Sequence, residues 1–126
     1  MIRLLICGSR AIKNFDWVYH KIDTICKNQP IDCIITGMAN GPDIVGFEYS
    51  RNNGLKVLEF PITQADWNRD GKKAGPIRNQ KMLVEGKPTH ILAFLHKTEK
   101  SNGTRHMIRI SKEKNIPVKE VYYEGK

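Results

Sequence analysis

The sequence lacks the features of disulfide-stapled, secreted or membrane-embedded proteins. It has three cysteines, Cys7, Cys26 and Cys33, which form no CxxC pair, and their odd number argues against a disulfide framework. The longest apolar runs, such as ILAFL at 91–95, are far too short to cross a bilayer. No small-residue cleavage pattern follows the N-terminal MIRLLICGSR, so we expect no signal peptide and a reducing, cytoplasmic location.

Several motifs of known chemistry are also absent. There is no GxGxxG dinucleotide fingerprint, no GxxxxGK[ST] phosphate loop and no GxSxG nucleophile turn. The histidines lack metal-ligand spacing to cysteine, aspartate or glutamate, so we predict neither a metal site nor a resident cofactor. Aromatic residues make up 8% of the chain and do not interleave with the basic ones, as they would on a platform for single-stranded nucleic acid.

The composition that is present fits one globular domain over residues 1–126. Apolar residues make up 40% and charged residues 27% of the chain, which is ordinary for a soluble domain of this length. The formal net charge of +8 suits anionic partners, from nucleotides to nucleic acid, and also favours solubility. We therefore expect an anionic small-molecule partner first, nucleic acid second, and no membrane.

Short apolar runs alternate with helix-length segments along the chain, which predicts βαβ units. The predicted strands are RLLIC at 3–7, DCIIT at 32–36, KVLEF at 56–60, HILAFL at 90–95 and VKEVYY at 118–123. The predicted helices cover 14–28, 42–54, 76–86 and about 104–114, with a polar functional loop over 62–75. The fold class is then a single Rossmann-like three-layer α/β domain, with a mostly parallel five-stranded sheet and helices on both faces. Ligands of such folds bind at the carboxyl ends of the strands.

Three loops at that edge and one helix start carry glycines, hydroxyls, amides and cations. They are CGSR (7–10), TGMANGPD (36–43), SNGT (101–104) and GPIRN (75–79), in which we place Arg78 in the first turn of a helix. Free backbone N–H groups at helix starts favour anions, and arginine binds phosphate bidentately. We therefore predict phosphate-cradling loops. The predicted ligand-binding residues are Gly8, Ser9, Arg10, Gly37, Asn40, Gly41, Asp43, Trp67, Gly75, Pro76, Arg78, Asn79, Ser101, Asn102, Gly103 and Thr104.

Several of these residues have a structural alternative that the sequence leaves open. Arg10 is either a phosphate ligand or a surface arginine in a tight turn. Asp43 either caps its helix or accepts a hydrogen bond from a ribose hydroxyl or a base amine. Thr104 is either an N-cap or a phosphate ligand, and Trp67 either packs against the protein or covers a ligand base.

Taken in order, CGSR, ITGMANGPD, DWNRDGKKAGPIRNQKM and the NGT before a helix resemble the YspA-like (DUF2493) group of the SLOG superfamily. The resemblance covers nearly the whole chain. It implies a Rossmann-like fold, binding of a nucleotide or nucleotide-derived signal, and a homo-oligomer. The superfamily includes LOG-type phosphoribohydrolases and the DNA-processing protein DprA, and both phages and bacteria carry the small group, which is compatible with a phage or defence-related role.

The resemblance to LOG-type enzymes extends to Arg78, which in those enzymes contacts the phosphoribosyl ligand, and to Gly103–Thr104. It departs at Met107, which takes the place of their catalytic glutamate. Methionine cannot act as acid or base, so we predict a protein that binds, senses or sequesters a nucleotide-type molecule, with no catalytic residue assigned. The second hypothesis is hydrolysis of a nucleotide N-glycosidic bond, with a carboxylate from Asp43, Glu48 or Glu99; the third is a nucleic-acid-binding module.

Overall fold

Five apolar segments form one parallel sheet in the computed structural model, which describes residues 1–125. The strands are β1 (Ile2–Gly8), β2 (Ile31–Thr36), β3 (Lys56–Glu59), β4 (His90–His96) and β5 (Val118–Tyr123). Their order is β3-β2-β1-β4-β5, and every neighbouring pair is parallel. The predicted Rossmann-like α/β class is therefore confirmed, and the first strand lies at the centre of the sheet.

Helices cover both faces of this sheet. They are α1 (Phe15–Cys26), α2 (Pro42–Asn52), α3 (Gln64–Asp70), α4 (Ala74–Gly86) and α5 (Asn102–Glu113), with a 3₁₀ turn at Gly71–Lys73 between α3 and α4. Apolar residues of α1 and α2 pack on one face of the sheet, and those of α4 and α5 pack on the other. Within residues 1–125, no helix has the length and apolarity needed to cross a membrane.

Alternate residues of β1 supply the two halves of the core. Leu4 and Ile6 face α1 and α2, whereas Leu5 and Cys7 face α4 and α5. Each fully buried leucine or isoleucine contributes about 1.5–3 kcal/mol of hydrophobic stabilisation, so this strand is a main anchor of the fold. All three cysteines are buried and free, so they pack as small apolar residues.

The polar stretch over 62–75 is helical, and its prediction as a loop was wrong. The Thr63 hydroxyl accepts a hydrogen bond from the Asp66 backbone at 3.1 Å, and the Asp66 carboxylate accepts one from the Thr63 backbone at 2.8 Å. This reciprocal capping box satisfies two of the free N–H groups at the start of α3 and stabilises a helix that has no buried residue.

The helix that carries Arg78 also begins earlier than predicted, at Ala74 rather than Pro76. Proline is tolerated there because the first residues of a helix need no N–H donor. Arg78 is therefore the fifth residue of α4 and lies beyond the first turn. The free backbone amides at the start of α4 are therefore not next to Arg78, and its role depends on the groups that its side chain contacts.

Gly8, the last residue of β1, allows α2 to begin very close to the sheet. A Cβ atom at this position would lie 2.5 Å from Pro42 Cγ and 2.8 Å from Phe94 Cβ. We expect Gly8→Ala to lower the free energy of unfolding by about 1–3 kcal/mol because neither neighbour has room to move. Urea unfolding measures the change. Gly75→Ala is the control, since an added Cβ there meets no atom within 4 Å, and an equal loss in both variants would contradict the argument.

Candidate functional site

A cavity of about 340 Å³ opens at the carboxyl edge of the sheet, and we call it the edge cavity. It lies between the loop after β1, the first turn of α2, the second turn of α4 and the start of α5. Most of the predicted ligand-binding residues line it. These are Gly8, Ser9, Arg10, Asp43, Arg78, Asn79, Ser101, Asn102, Gly103 and Thr104.

Three predicted residues of the loop after β2 lie beside the edge cavity rather than in its wall. The Gly37 carbonyl accepts a hydrogen bond from Arg78, and an added Cβ at Gly41 would lie 3.2 Å from the Ser9 carbonyl oxygen. Asn40 is exposed in the same loop. These residues shape the cavity through the backbone that they hold in place.

Three other predicted residues are not brought to the edge cavity. Trp67 lies on α3 with 41% of its surface exposed, and it is not among the lining residues. Gly75 and Pro76 lie in the first turn of α4, whereas the lining residues of that helix are Arg78, Asn79 and Met82. The predicted segment GPIRN (75–79) therefore does not line the cavity as one unit.

Asp43 places a buried carboxylate in the wall of the edge cavity. Its side chain is 5% exposed, and it forms no salt bridge with any residue of the described chain. The backbone N–H groups of Ala39 and Gly8 lie close enough to influence its charge. Burial raises the pKa of Asp43 to about 6, although the nearby guanidinium of Arg78 and these amides act to lower it.

Asp43 is not the N-cap of α2. Gly41 occupies the cap position, at φ 100°, and offers no side chain to cap the helix. Asp43 lies two residues further on, and its backbone carbonyl accepts a hydrogen bond from the Thr36 hydroxyl at 2.8 Å. The carboxylate therefore stands at the positive end of α2 without closing the helix, which leaves it directed toward the edge cavity.

The guanidinium of Arg78 joins α4 to the ends of β2 and β3. Its Nη1 donates to the carbonyl of Gly37 at 2.7 Å and to that of Phe60 at 3.2 Å. Its Nε donates to Asn79 Oδ1 at 3.2 Å. Nη2 makes none of the hydrogen bonds found within residues 1–125. Every buried side-chain nitrogen in these residues has a hydrogen-bond partner, so Nη2 must be accessible to solvent.

Burial lowers the pKa of Arg78, and the negative charge of Asp43 opposes that shift. The side chain stays protonated, because arginine does not lose its proton in proteins. Gly37 has to be small beside it, since a Cβ there would collide with Nη1 and the guanidinium carbon. The cation is thus a structural link that keeps one amino group free of hydrogen bonds within residues 1–125.

Asn79 continues this network from α4 to α5. Its Nδ2 donates to the Gly103 carbonyl at 3.1 Å and to His106 Nδ1 at 3.1 Å. His106 Nδ1 is therefore the acceptor, which puts the ring proton on Nε2. Burial lowers the pKa of His106, so the ring is neutral at pH 7 and can keep this role. Both ends of the Asn79 amide are used within the protein, and the residue positions the start of α5.

The start of α5 forms the opposite wall. Ser101 is its N-cap, because its hydroxyl oxygen accepts from the Thr104 backbone at 3.3 Å. The expectation that Thr104 caps the helix was therefore wrong; Thr104 is 4% exposed and accepts from the Ser101 hydroxyl at 2.7 Å. The backbone amides of Asn102 and Gly103 precede the first helical hydrogen bond and have no acceptor inside the helix.

The predicted ligand-binding set left out seven of the lining residues, although Met107 and Glu99 had been named in connection with catalysis. Cys7, Met82 and Met107 form an apolar floor, and burial strongly raises the pKa of the Cys7 thiol, which keeps it protonated. The others are Ala11, Ala39, Glu99 and Lys100. Met107 lies three residues after Thr104 on the same side of α5, which agrees with its sequence-based placement at the site.

Comparison with known proteins identifies the family. The model of the YspA, cpYpsA-related SLOG family (YAcAr) matches residues 2–69. Gene 61 protein of Mycobacterium phage D29 is 34% identical over 122 residues, which cover 94% of each chain. The chain belongs to the YspA, cpYpsA-related SLOG family. The predicted resemblance is thereby confirmed.

A solved structure resembles this SLOG protein in fold. DNA processing protein A (DprA) from Streptococcus pneumoniae superposes with a TM-score of 0.54 at 15% sequence identity. The match covers 94% of this chain and 58% of the DprA chain, so the chain spans somewhat more than half the length of that neighbour. At this identity the likeness supports the Rossmann-like fold.

The raised pKa of Asp43 makes the stability of the SLOG protein depend on pH. A carboxyl with an ordinary pKa of 3.8 and a folded-state pKa of about 6 binds more protons when folded, so stability falls as pH rises through this window. We expect Asp43→Asn to raise the free energy of unfolding at pH 7 by roughly 1–3 kcal/mol. The gain should shrink as the pH falls below about 6 and vanish below about pH 3, where the carboxyl is protonated in both the folded and the unfolded state.

Urea unfolding at a series of pH values measures this difference. Glu48→Gln is the matched control, because Glu48 is an exposed carboxylate on the same helix. A gain that does not change with pH, or an equal gain in the control, would show that burial of the Asp43 charge is not its source.

Loss of the Arg78 guanidinium should destabilise the protein, because its hydrogen-bond acceptors and the nearby carboxylate lose their partner. Arg78→Met removes the group that donates hydrogen bonds to the Gly37 and Phe60 carbonyls. It also removes the cation that lowers the pKa of Asp43 most. We therefore expect the free energy of unfolding to fall by about 1–3 kcal/mol. The same substitution in an Asp43→Asn background should have a smaller effect, because the uncompensated charge is gone.

A double-mutant cycle followed by urea unfolding measures this coupling. Arg69→Met serves as the control, since that arginine lies on the surface of α3 with its side chain 65% exposed. Strictly additive effects of the Arg78 and Asp43 substitutions would refute an electrostatic link between the two side chains.

Proposed function

We propose that the edge cavity binds a nucleotide or nucleotide-derived molecule through its phosphate, and that the protein senses or sequesters this molecule. The observation that carries the proposal is the start of α5, where unpaired amides of Asn102 and Gly103 border a cavity that also contains three cationic side chains. Helix N-termini with free amides favour phosphate, because the donors and the helix dipole act together. Membership of the SLOG family and the DprA-like fold support a nucleotide-related role.

The phosphate is assigned to α5 rather than to α2. Pro42, the first residue of α2, has no N–H to donate, and the carboxylate of Asp43 already stands at that helix end. A second anion beside a buried carboxylate would be repelled. At α5 there is no acidic residue in the first turn, and an added Cβ at Gly103 meets no atom within 4 Å. A phosphate oxygen therefore has room to approach these amides.

The cations around this position complete the anion site. Arg10 and Lys100 are exposed lining residues at the mouth of the edge cavity, and Arg78 lines it from the side of α4. Charged donors form shorter and stronger hydrogen bonds to phosphate than neutral donors do. In this proposal Arg10 and Lys100 bind the phosphate directly, and Arg78 adds its free Nη2.

A thermal-shift panel of inorganic phosphate and of mono-, cyclic and dinucleotides tests the proposal. A ligand present at about 100 times its dissociation constant should stabilise the protein by about 2.7 kcal/mol. Arg10→Gln and Lys100→Gln should each weaken that ligand by about threefold to tenfold through the loss of a charged donor. Lys114→Gln, an exposed lysine at the far end of α5, makes the same charge change outside the cavity and should have no effect.

Either of two results would contradict a phosphate site in the edge cavity. If no member of the panel raises the melting temperature, or if Lys114→Gln weakens binding as much as Arg10→Gln, the cavity is not the phosphate site. Affinity for oligonucleotides that falls steeply with salt, without any for mononucleotides, would instead indicate a nucleic-acid-binding module.

Hydrolysis of a nucleotide N-glycosidic bond is the alternative that one observation favours. Two carboxylates, Asp43 and Glu99, line the same cavity, and a carboxylate can stabilise a developing ribosyl cation. Met107 is 1% exposed in the floor and supplies no charge. Release of free base from nucleoside monophosphates, followed by chromatography at high protein concentration, decides between binding and turnover.

A further inference from the structure

We propose that Asp43 determines ligand specificity by accepting hydrogen bonds from the hydroxyl groups of a ribose, so that the cavity selects ribonucleotide-type ligands over deoxyribonucleotide-type ones. This inference rests on the proposed function, because it takes the phosphate to lie at the start of α5. It adds to that function the identity of the sugar that is attached to the phosphate.

The geometry of the carboxylate is the first argument. Asp43 is 5% exposed, lines the edge cavity and makes no salt bridge within residues 1–125, although Arg78 is close enough to influence it. The backbone amides of Ala39 and Gly8 are close enough to lower its pKa. A carboxylate has about four acceptor positions, so one without a salt bridge still offers acceptors to a ligand. A buried charge in this state is stabilised by donors that arrive with the ligand.

The shape of the edge cavity is the second argument. A volume of about 340 Å³ is near the lower end of the range for small-molecule sites, roughly 300–1,000 Å³. None of the described residues that line it is aromatic, so its interior offers no ring on which a nucleobase would stack. Three small residues, Gly8, Ala11 and Ala39, are also part of the lining. These features fit a compact, hydroxyl-bearing ring with its base directed outward.

The arrangement of charge is the third argument. The free amides, Lys100 and Glu99 lie at the start of α5, whereas Asp43 stands on the wall formed by α2, where Arg10 and Arg78 are close enough to lower its pKa. A ligand that fits has an anionic group at one end and neutral hydrogen-bond donors next to it. A ribose phosphate has that pattern, and a deoxyribose phosphate lacks one of the donors. Hydrogen bonds from hydroxyl groups to a carboxylate are charge-assisted and strong.

Isothermal titration with matched pairs tests the inference without assuming a base. The probes are ribose phosphate with deoxyribose phosphate, and each common ribonucleoside monophosphate with its deoxy counterpart. In the wild type the ribose member should bind at least about tenfold more tightly, which is the loss expected when a site built around a hydroxyl meets an analogue without it. Asp43→Asn should reduce this preference to about threefold or less, because a neutral acceptor forms weaker hydrogen bonds.

A merely structural role of Asp43 would change both members of a pair alike, and a loss of fold would abolish both. Inorganic phosphate is the internal check, because Asp43→Asn removes a nearby negative charge and should leave phosphate affinity unchanged or raise it. Glu48→Gln, on the exposed side of α2, should keep the full ribose preference.

Each result decides between the two proposals. Equal affinity for both members of every pair, with binding still weakened by Arg10→Gln, would overturn the role of Asp43 and leave the phosphate site standing. A ribose preference that survives Asp43→Asn would assign hydroxyl recognition to another residue and also overturn the inference. If neither member of any pair binds, the proposed function itself fails, and the inference fails with it.

Discussion

The hydrogen bonds of Arg78 to the carbonyls of Gly37 and Phe60 are the interaction on which the site depends. They tie α4 to the ends of two strands and bring a cation close to the buried carboxylate of Asp43. Through Asn79 the same side chain also reaches the Gly103 carbonyl at the start of α5. One guanidinium thus connects α4 to the ends of β2 and β3 directly and, through Asn79, to the start of α5.

Asp43 illustrates how such a site lowers stability. A carboxylate with its pKa raised to about 6 is held in a place that disfavours its charge at neutral pH, and the nearby cation and amides compensate only in part. A protein selected for stability alone would place a neutral residue there. Because residues that destabilise the unliganded fold cluster at functional sites, the position of Asp43 is an argument for function that does not depend on any family likeness.

The fold could be predicted from the sequence because each strand is a short apolar run that ends at a glycine, proline or polar loop. The site was harder to predict from the sequence, because it depends on contacts between residues that are distant in sequence, such as Arg78 with Gly37 and Phe60. The helix at 64–70 was missed because no apolar period marks it and only Thr63 and Asp66 signal its start. The roles assigned to the loop residues, and the expected homo-oligomer, stay predictions.

The two helix starts at the carboxyl edge are chemically opposite, and this difference could not be predicted from glycine content. Both TGMANGPD and SNGT lead from a strand into a helix and carry glycine. In the first, proline removes an amide and aspartate adds a negative charge; in the second, Ser101 caps the helix while the next two amides stay free. The phosphate site proposed at α5 and the acceptor proposed at Asp43 would together fix the orientation of a phosphorylated ligand in the cavity. Arg78, on α4, bonds to Gly37 and Phe60 and reaches α5 only through Asn79, so the two walls differ in how they are held.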